Sequence, residues 1–294
     1  MKLVVVRKLP DGRVRTVFPF HMSLEGTDTF VLCRDAEDFD AAVKVMCMAA
    51  WRSNVLIVIY SVVSNHCRAV VLSESMENAV RFGEEVKRVY SMWLSRRYKV
   101  LRVMRGTSVK VIPLTDCARL RDALAFFPRC ENNPWSGFGA MFSSAVPSDV
   151  VRVSDLSRRD LYEYMHTGSR IKGVPWLLDA SCRLVPQSFC DREYLEQAFD
   201  NDRTLWLQYV EAVDRVRMRE TLIDTPRESK RDMELSYRVN LQCMKWYGMA
   251  LGEISLEQKC RILPYMYRTS KTTVSQLARV FSMDPERVKR LLCQ

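Results

Sequence analysis

Histidine is scarce in this chain, three in 294 residues, so the placement of each one is informative. Long apolar runs are missing. None reaches the roughly 18 to 20 residues that carry a helix across a bilayer, which argues against a membrane partner. The opening Met1-Lys2-Leu3-Val4-Val5-Val6-Arg7 is soon interrupted by charge and is too short for a secretion signal, so a cytoplasmic location is expected. Ten cysteines are scattered from Cys33 to Cys293 without one C-x-x-C pair. That spacing supports neither a zinc knuckle nor a dithiol redox motif, and the thiols are expected to be reduced. Internal repeats and low-complexity segments are absent. The strands also lack the aromatic pair with which an RRM-type sheet stacks bases, which ranks an RNA-binding sheet last.

What is present is an ordinary globular composition with a basic bias. The net charge is +10 and the pI about 9.2, which favours a polyanionic partner through phosphate neutralisation and counterion release. The length suits one good core and a second domain.

The stretch Tyr60 to Leu72 draws the first attention. Two apolar runs of strand composition, Val55–Val63 and Ala69–Leu72, flank a polar turn at Ser64-Asn65, and His66 follows that turn. An incidental histidine on a surface hairpin is the plainer account. The elements around it are a strand over Val14 to Gly26, then a helix from Asp35 to about Trp51. After the strand pair come a helix from Met76 to Tyr98, a strand over Ser108–Leu114, and a helix running from Asp116 toward Arg129. That order predicts an α+β fold, an antiparallel sheet with helices on one face. Arg81, Lys87, Arg88, Arg96 and Arg97 make a basic outer face on the long helix, either a solvated surface or a DNA contact. Gly and Pro punctuate residues 146–190, which read as an irregular linker. Residues 191–294 return to helical spacing.

At the C-terminal end, Thr273–Phe281 and Pro285–Leu292 predict two short helices around a turn at Ser282-Met283-Asp284. Small Ala278 at the crossing and an outward Arg287, Lys289 and Arg290 suit a helix-turn-helix over about 273–292, with Gln276 as a further expected DNA contact. A small helical cap with solvated basic residues is the alternative.

In this order the pieces resemble the single-tyrosine HUH transposases, in particular the REP-associated tyrosine transposases. Phe20-His21-Met22 with Gly26 is similar to the family's opening strand, and Asp35, Asp38 and Phe39 to its acidic helix start. Tyr60-Ser61-Val62-Val63-Ser64-Asn65-His66-Cys67-Arg68 stands against Tyr-x-Val-Met-x-Asn-His-x-His. Lys87-Arg88-Val89-Tyr90 matches the basic helix with an internal tyrosine, and Arg129 to Pro134 stands against Tyr-Ile-x-x-Asn-Pro. Trp135-Ser136 and Phe142-Ser143-Ser144 are similar to the family's Trp-Ser-Ser stretch. The likeness covers roughly residues 14–145 and the tail.

The resemblance implies a ferredoxin-like HUH domain over residues 1–145 and DNA, single-stranded or hairpin, as partner. Such enzymes cut DNA with a tyrosine hydroxyl, and Mg or Mn polarises the scissile phosphate. Carried over, His66 and Asn133 match metal ligands. Arg68 replaces the second histidine and Arg129 the nucleophilic tyrosine. Arginine neither ligates a cation nor attacks phosphate, so cleavage is expected to be lost while both arginines help retain DNA. Three readings stay open: such an uncutting protein, an active transposase with displaced ligands and its metal, and a regulator whose helix-turn-helix reads duplex DNA. Each is compatible with a monomer or a homodimer.

Overall fold

The computed structural model describes residues 3–26, 31–100, 104, 107–127, 135–167, 171, 173–212, 232–270 and 272–292. They form two compact units, 1–213 and 214–294.

The first unit is built on a curled antiparallel sheet. Its strands are β1 (Val5–Lys8), β2 (Val14–Glu25), β3 (Leu56–Val63), β4 (His66–Ser73) and β5 (Val109–Pro113). The long β2 pairs with β1 through Val14–Val17, and with β4 and β5 farther along; β4 pairs in turn with β3. Strand β1 was not anticipated. Val5–Lys8 folds back on β2 through a turn at Leu9–Gly12, where Gly12 takes a φ of +83° that favours glycine.

Helices α1 (Ala36–Ser53) and α2 (Met76–Tyr98) cover one face of this sheet. Asp35 caps α1 by accepting from the amides of Glu37 and Asp38, and Ser75 caps α2 by accepting from Asn78. Gly83 sets how close α2 comes: a Cβ there would lie 2.4 Å from Val109 Cγ1 on β5. The core between these layers takes Phe20, Met22 and Leu24 from β2, Cys67, Ala69 and Val71 from β4, and Ala79, Phe82, Val86 and Tyr90 from α2.

Two expectations change. The helix after β5, α3 (Cys117–Ala125), ends at Ala125 rather than running toward Arg129. Residues 146–190 are no linker. They carry the short pair β6 (Val151–Arg152) and β7 (Leu177–Leu178) with α4 (Arg158–Met165), and Val153, Leu161, Met165 and Trp176 are buried in the sheet unit's own core. The Pro and Gly punctuation reflects tight turns in a packed segment. Helices α5 (Arg192–Ala198) and α6 (Arg203–Ala212) complete this unit, with Trp206 buried among Phe138, Phe142 and Phe199.

The second unit is helical: α7 (Asp232–Tyr247), α8 (Leu256–Ser270), α9 (Val274–Phe281) and α10 (Pro285–Leu292). Its core joins Leu235, Val239 and Cys243 of α7 to Ile262, Leu263, Leu277, Phe281 and Val288. Thr273 caps α9, and Asp284 accepts from the Arg287 amide at the start of α10.

One polar knot ties α1 to α2. The fully buried Asp38 carboxylate accepts from the Arg34 amide at 2.8 Å, from Tyr98 Oη at 2.8 Å and from Arg97 Nη1 at 2.5 Å. Removing one member of a buried ion pair leaves the rest uncompensated. Asp38→Ala is expected to lower the unfolding free energy by about 3 kcal/mol, read from urea denaturation.

Candidate functional site

The strands alternate, so every core residue has a neighbour aimed at the other sheet face. On β2 those neighbours are His21, Ser23 and Glu25; on β4 they are His66, Arg68 and Val70. Register then lines polar groups up across the sheet. Lys110 of β5 stands opposite Ser23, Ser23 opposite Arg68, and Arg68 opposite Ser61 of β3. Ser136 continues the row by bridging to Ser61, where Val62 and Gly137 amides bond Trp135 and Tyr60 carbonyls across that edge. One row on the face away from α1 and α2 is therefore polar from end to end.

Arg68 is at its centre and almost wholly buried, with a side-chain exposure of 7%. Its Nη2 lies 3.3 Å from Glu25 Oε1, and its guanidinium sits 4.9 Å from the centre of the Phe126 ring just beyond α3. His21, two residues along β2 from the row and on the same face, is fully buried against Phe127 at 6.3 Å between ring centres. Among the described residues, neither of its ring nitrogens has a hydrogen-bond partner, nor do Ser23 Oγ and Ser61 Oγ. Burial, with the charges of Arg68 and Lys110 behind it, pushes the His21 imidazole down to about 3. His21 is therefore neutral at physiological pH.

The residues expected to act together fall in several places. His66 and Arg68 do share one strand face, and His66 stands in register with Glu25 and Val63. Arg129 and Asn133 lie outside the described residues. Lys87 and Arg88 are on α2, across the sheet from Arg68. Lys87 donates to the Thr107 carbonyl at 2.8 Å and Arg88 pairs with Glu85 at 2.8 Å, so both are engaged within the fold. Arg97, on the same helix face, holds Asp35, Glu37 and Asp38.

Two expected DNA contacts are corrected by burial. Arg68 is too deep and too closely paired to grip a backbone. Gln276 is fully buried, accepting from Thr272 Oγ1 and donating to Asp232 Oδ1 at 3.0 Å, and so fastens α9 to the start of α7. Arg279 holds the same carboxylate. On α10, Arg287 and Arg290 are exposed, and Lys289 pairs with Glu286 at 3.0 Å.

Among the tyrosines of this unit, Tyr60 is buried on the core side of β3. Tyr90 donates to the Leu32 carbonyl and Tyr98 to Asp38, and burial raises both phenols, Tyr98 to about 12. None of the three faces the polar row.

A divalent cation does not fit the donors described here. The position beside His66 that would supply a second ligand carries a fixed positive charge with no lone pair, and that charge occupies the nearest carboxylate, Glu25. Among the described residues no three His, Cys, Asp or Glu side chains gather into a metal-holding group. Sequence reasoning missed His21 as a site residue, along with Ser23, Ser61, Lys110 and Glu25. The alternation Phe20-His21-Met22-Ser23-Leu24-Glu25 was the available signal, since it puts three polar groups on one face of a strand.

No protein-family model, no curated protein and no solved structure matches the chain.

His21 makes stability depend on pH with a definite sign. Its folded value of about 3 lies below the ordinary 6.5, so the unfolded chain binds the proton that the folded chain refuses. Stability is complete above about pH 6.5 and falls toward pH 3, by at most about 1.4 kcal/mol per pH unit for one such group. His166, pushed down to about 4 mainly by burial, acts in the same direction. His21→Phe should therefore flatten, without abolishing, the loss of urea resistance between pH 7 and pH 4.5.

Proposed function

We propose that this chain is a DNA-binding protein of the kind resembling REP-associated tyrosine transposases, with strand cleavage lost and duplex contact carried by a C-terminal helix-turn-helix. The ferredoxin-like HUH reading is supported by the element order β-α-β-β-α-β over β2 to β5 and by the strand order β3-β4-β2-β5. The observation that carries the loss of cleavage is Arg68. It stands two residues after His66 on the same strand face, where the resemblance calls for a second metal ligand, and its charge is locked to Glu25. A metal that polarises a phosphate needs lone pairs around it, and this corner of the face offers a cation instead.

The helical unit supports the binding half of the reading. Asp284 and Pro285 start α10 after a turn in which Ser282 takes a φ of +51°. Val288 is buried against the rest of the unit, and Arg287 and Arg290 stand three residues apart on the exposed side of the same helix. A helix held from behind with free guanidinium groups in front is suited to phosphates and groove edges. Since Arg68 is buried, these exposed arginines favour duplex DNA over a single strand laid on the sheet. The chain then acts as a regulator on a former transposase scaffold.

The test uses the full-length protein with labelled hairpin and plain duplex DNA, with Mg or Mn present. Binding without a covalent adduct on a denaturing gel is expected, with duplex competing at least as well as hairpin. An adduct refutes the loss of cleavage, and absence of any DNA binding refutes the whole reading. In the double variant Arg287→Ala with Arg290→Ala, affinity should drop and the slope of log K against log salt should shrink by about two.

A further inference from the structure

Helix α7 turns an unusually apolar side to solvent. Met233, Tyr237, Leu241 and Met244 recur at spacings of four, four and three, which stacks them along one stripe, and they are 81%, 65%, 53% and 53% exposed. The opposite side of the helix is already used: Leu235, Val239 and Cys243 are buried in the helical unit's core. A helix that is apolar on two sides has one side too many for a single packed unit, and stripes of this kind mark interaction surfaces.

Charge selects the occupant. One flank of the stripe carries Glu234 near the start of the helix and Arg238 and Lys245 farther along; the other carries the uncharged Ser236 and Asn240. We infer that α7 is the dimerisation element of this protein, packing antiparallel against α7 of a second copy. Two such helices related by a two-fold axis bring like flanks together, as an isologous interface requires. Centring the axis between Tyr237 and Leu241 places Met233 against Met244 of the partner subunit and Tyr237 against Leu241 of the partner subunit. The same register sets Glu234 beside Lys245 of the partner subunit, twice over. Parallel packing would turn the charged flank toward the neutral one and leave Glu234 without a cation across the interface. The inference does not depend on DNA binding, since a chain that dimerises but binds no DNA refutes only the preceding proposal.

Sedimentation equilibrium of the full-length protein tests it. A dimer is expected at micromolar concentration, and Tyr237→Glu or Leu241→Glu should weaken it by about tenfold or more while leaving the circular dichroism unchanged. Those side chains are exposed in the single chain, so the fold does not need them. Glu234→Lys and Lys245→Glu should each loosen the dimer several-fold, and the two together should restore it. A protein that stays monomeric at every concentration overturns the proposal, as does a dimer indifferent to both stripe substitutions. Failure of the combined charge reversal to restore association overturns the antiparallel arrangement.

Discussion

A guanidinium placed on the inner strand of a sheet must find a counter-charge or pull its strand out of the fold. In this protein Glu25, at the far end of β2, meets Arg68 across one strand pair, and the Phe126 ring closes over the cation from beyond α3. That pairing works only in the observed register. A slip of one residue would send Arg68 into the apolar layer beneath α1 and α2, and Cys67 and Ala69 out of it. The ion pair and the helix-covered core therefore enforce each other: one face of β4 fixes the register by excluding charge, the other by demanding a partner for it.

The cost of such an arrangement is visible in its neighbours. His21, Ser23 and Ser61 keep polar atoms buried without partners among the described residues, each a desolvation penalty that an apolar side chain would avoid. A sheet selected for stability alone has no use for that row. The basic surface of α2 tells a complementary story, because charges that look free along a helix are held by Glu85, Thr107 and the acidic start of α1. Part of the basic balance on this helix is thus taken up inside the fold by Arg88 with Glu85 and by Arg97 with the acidic start of α1.

Several features are legible in the sequence alone. The hairpin at Ser64-Asn65, the caps Asp35, Ser75 and Asp116, the extents of α1 and α2, and the paired helices around Ser282 all follow from local chemistry. A cap, a turn or an amphipathic period is stated within a few residues of where it acts. The same locality explains the errors. Residues 146–190 read as a linker because their turns are local, whereas the burial of Val153, Leu161 and Trp176 depends on a surface assembled from distant strands. Gln276 looked like a contact because its position on a short helix is local, but the carboxylate that buries it, Asp232, is 44 residues away.

What the sequence determined by itself was the order of elements and the place of Arg68, two residues after His66 and so on the same strand face. Only the tertiary structure decided what that arginine does. Alternation says which residues share a face of one strand, but register between strands decides which strangers meet there. Lys110, Ser23, Arg68 and Ser61 come from four strands and form one row because backbone hydrogen bonds align them. Burial then settled its role: a charge that is 7% exposed and paired with Glu25 is part of the fold.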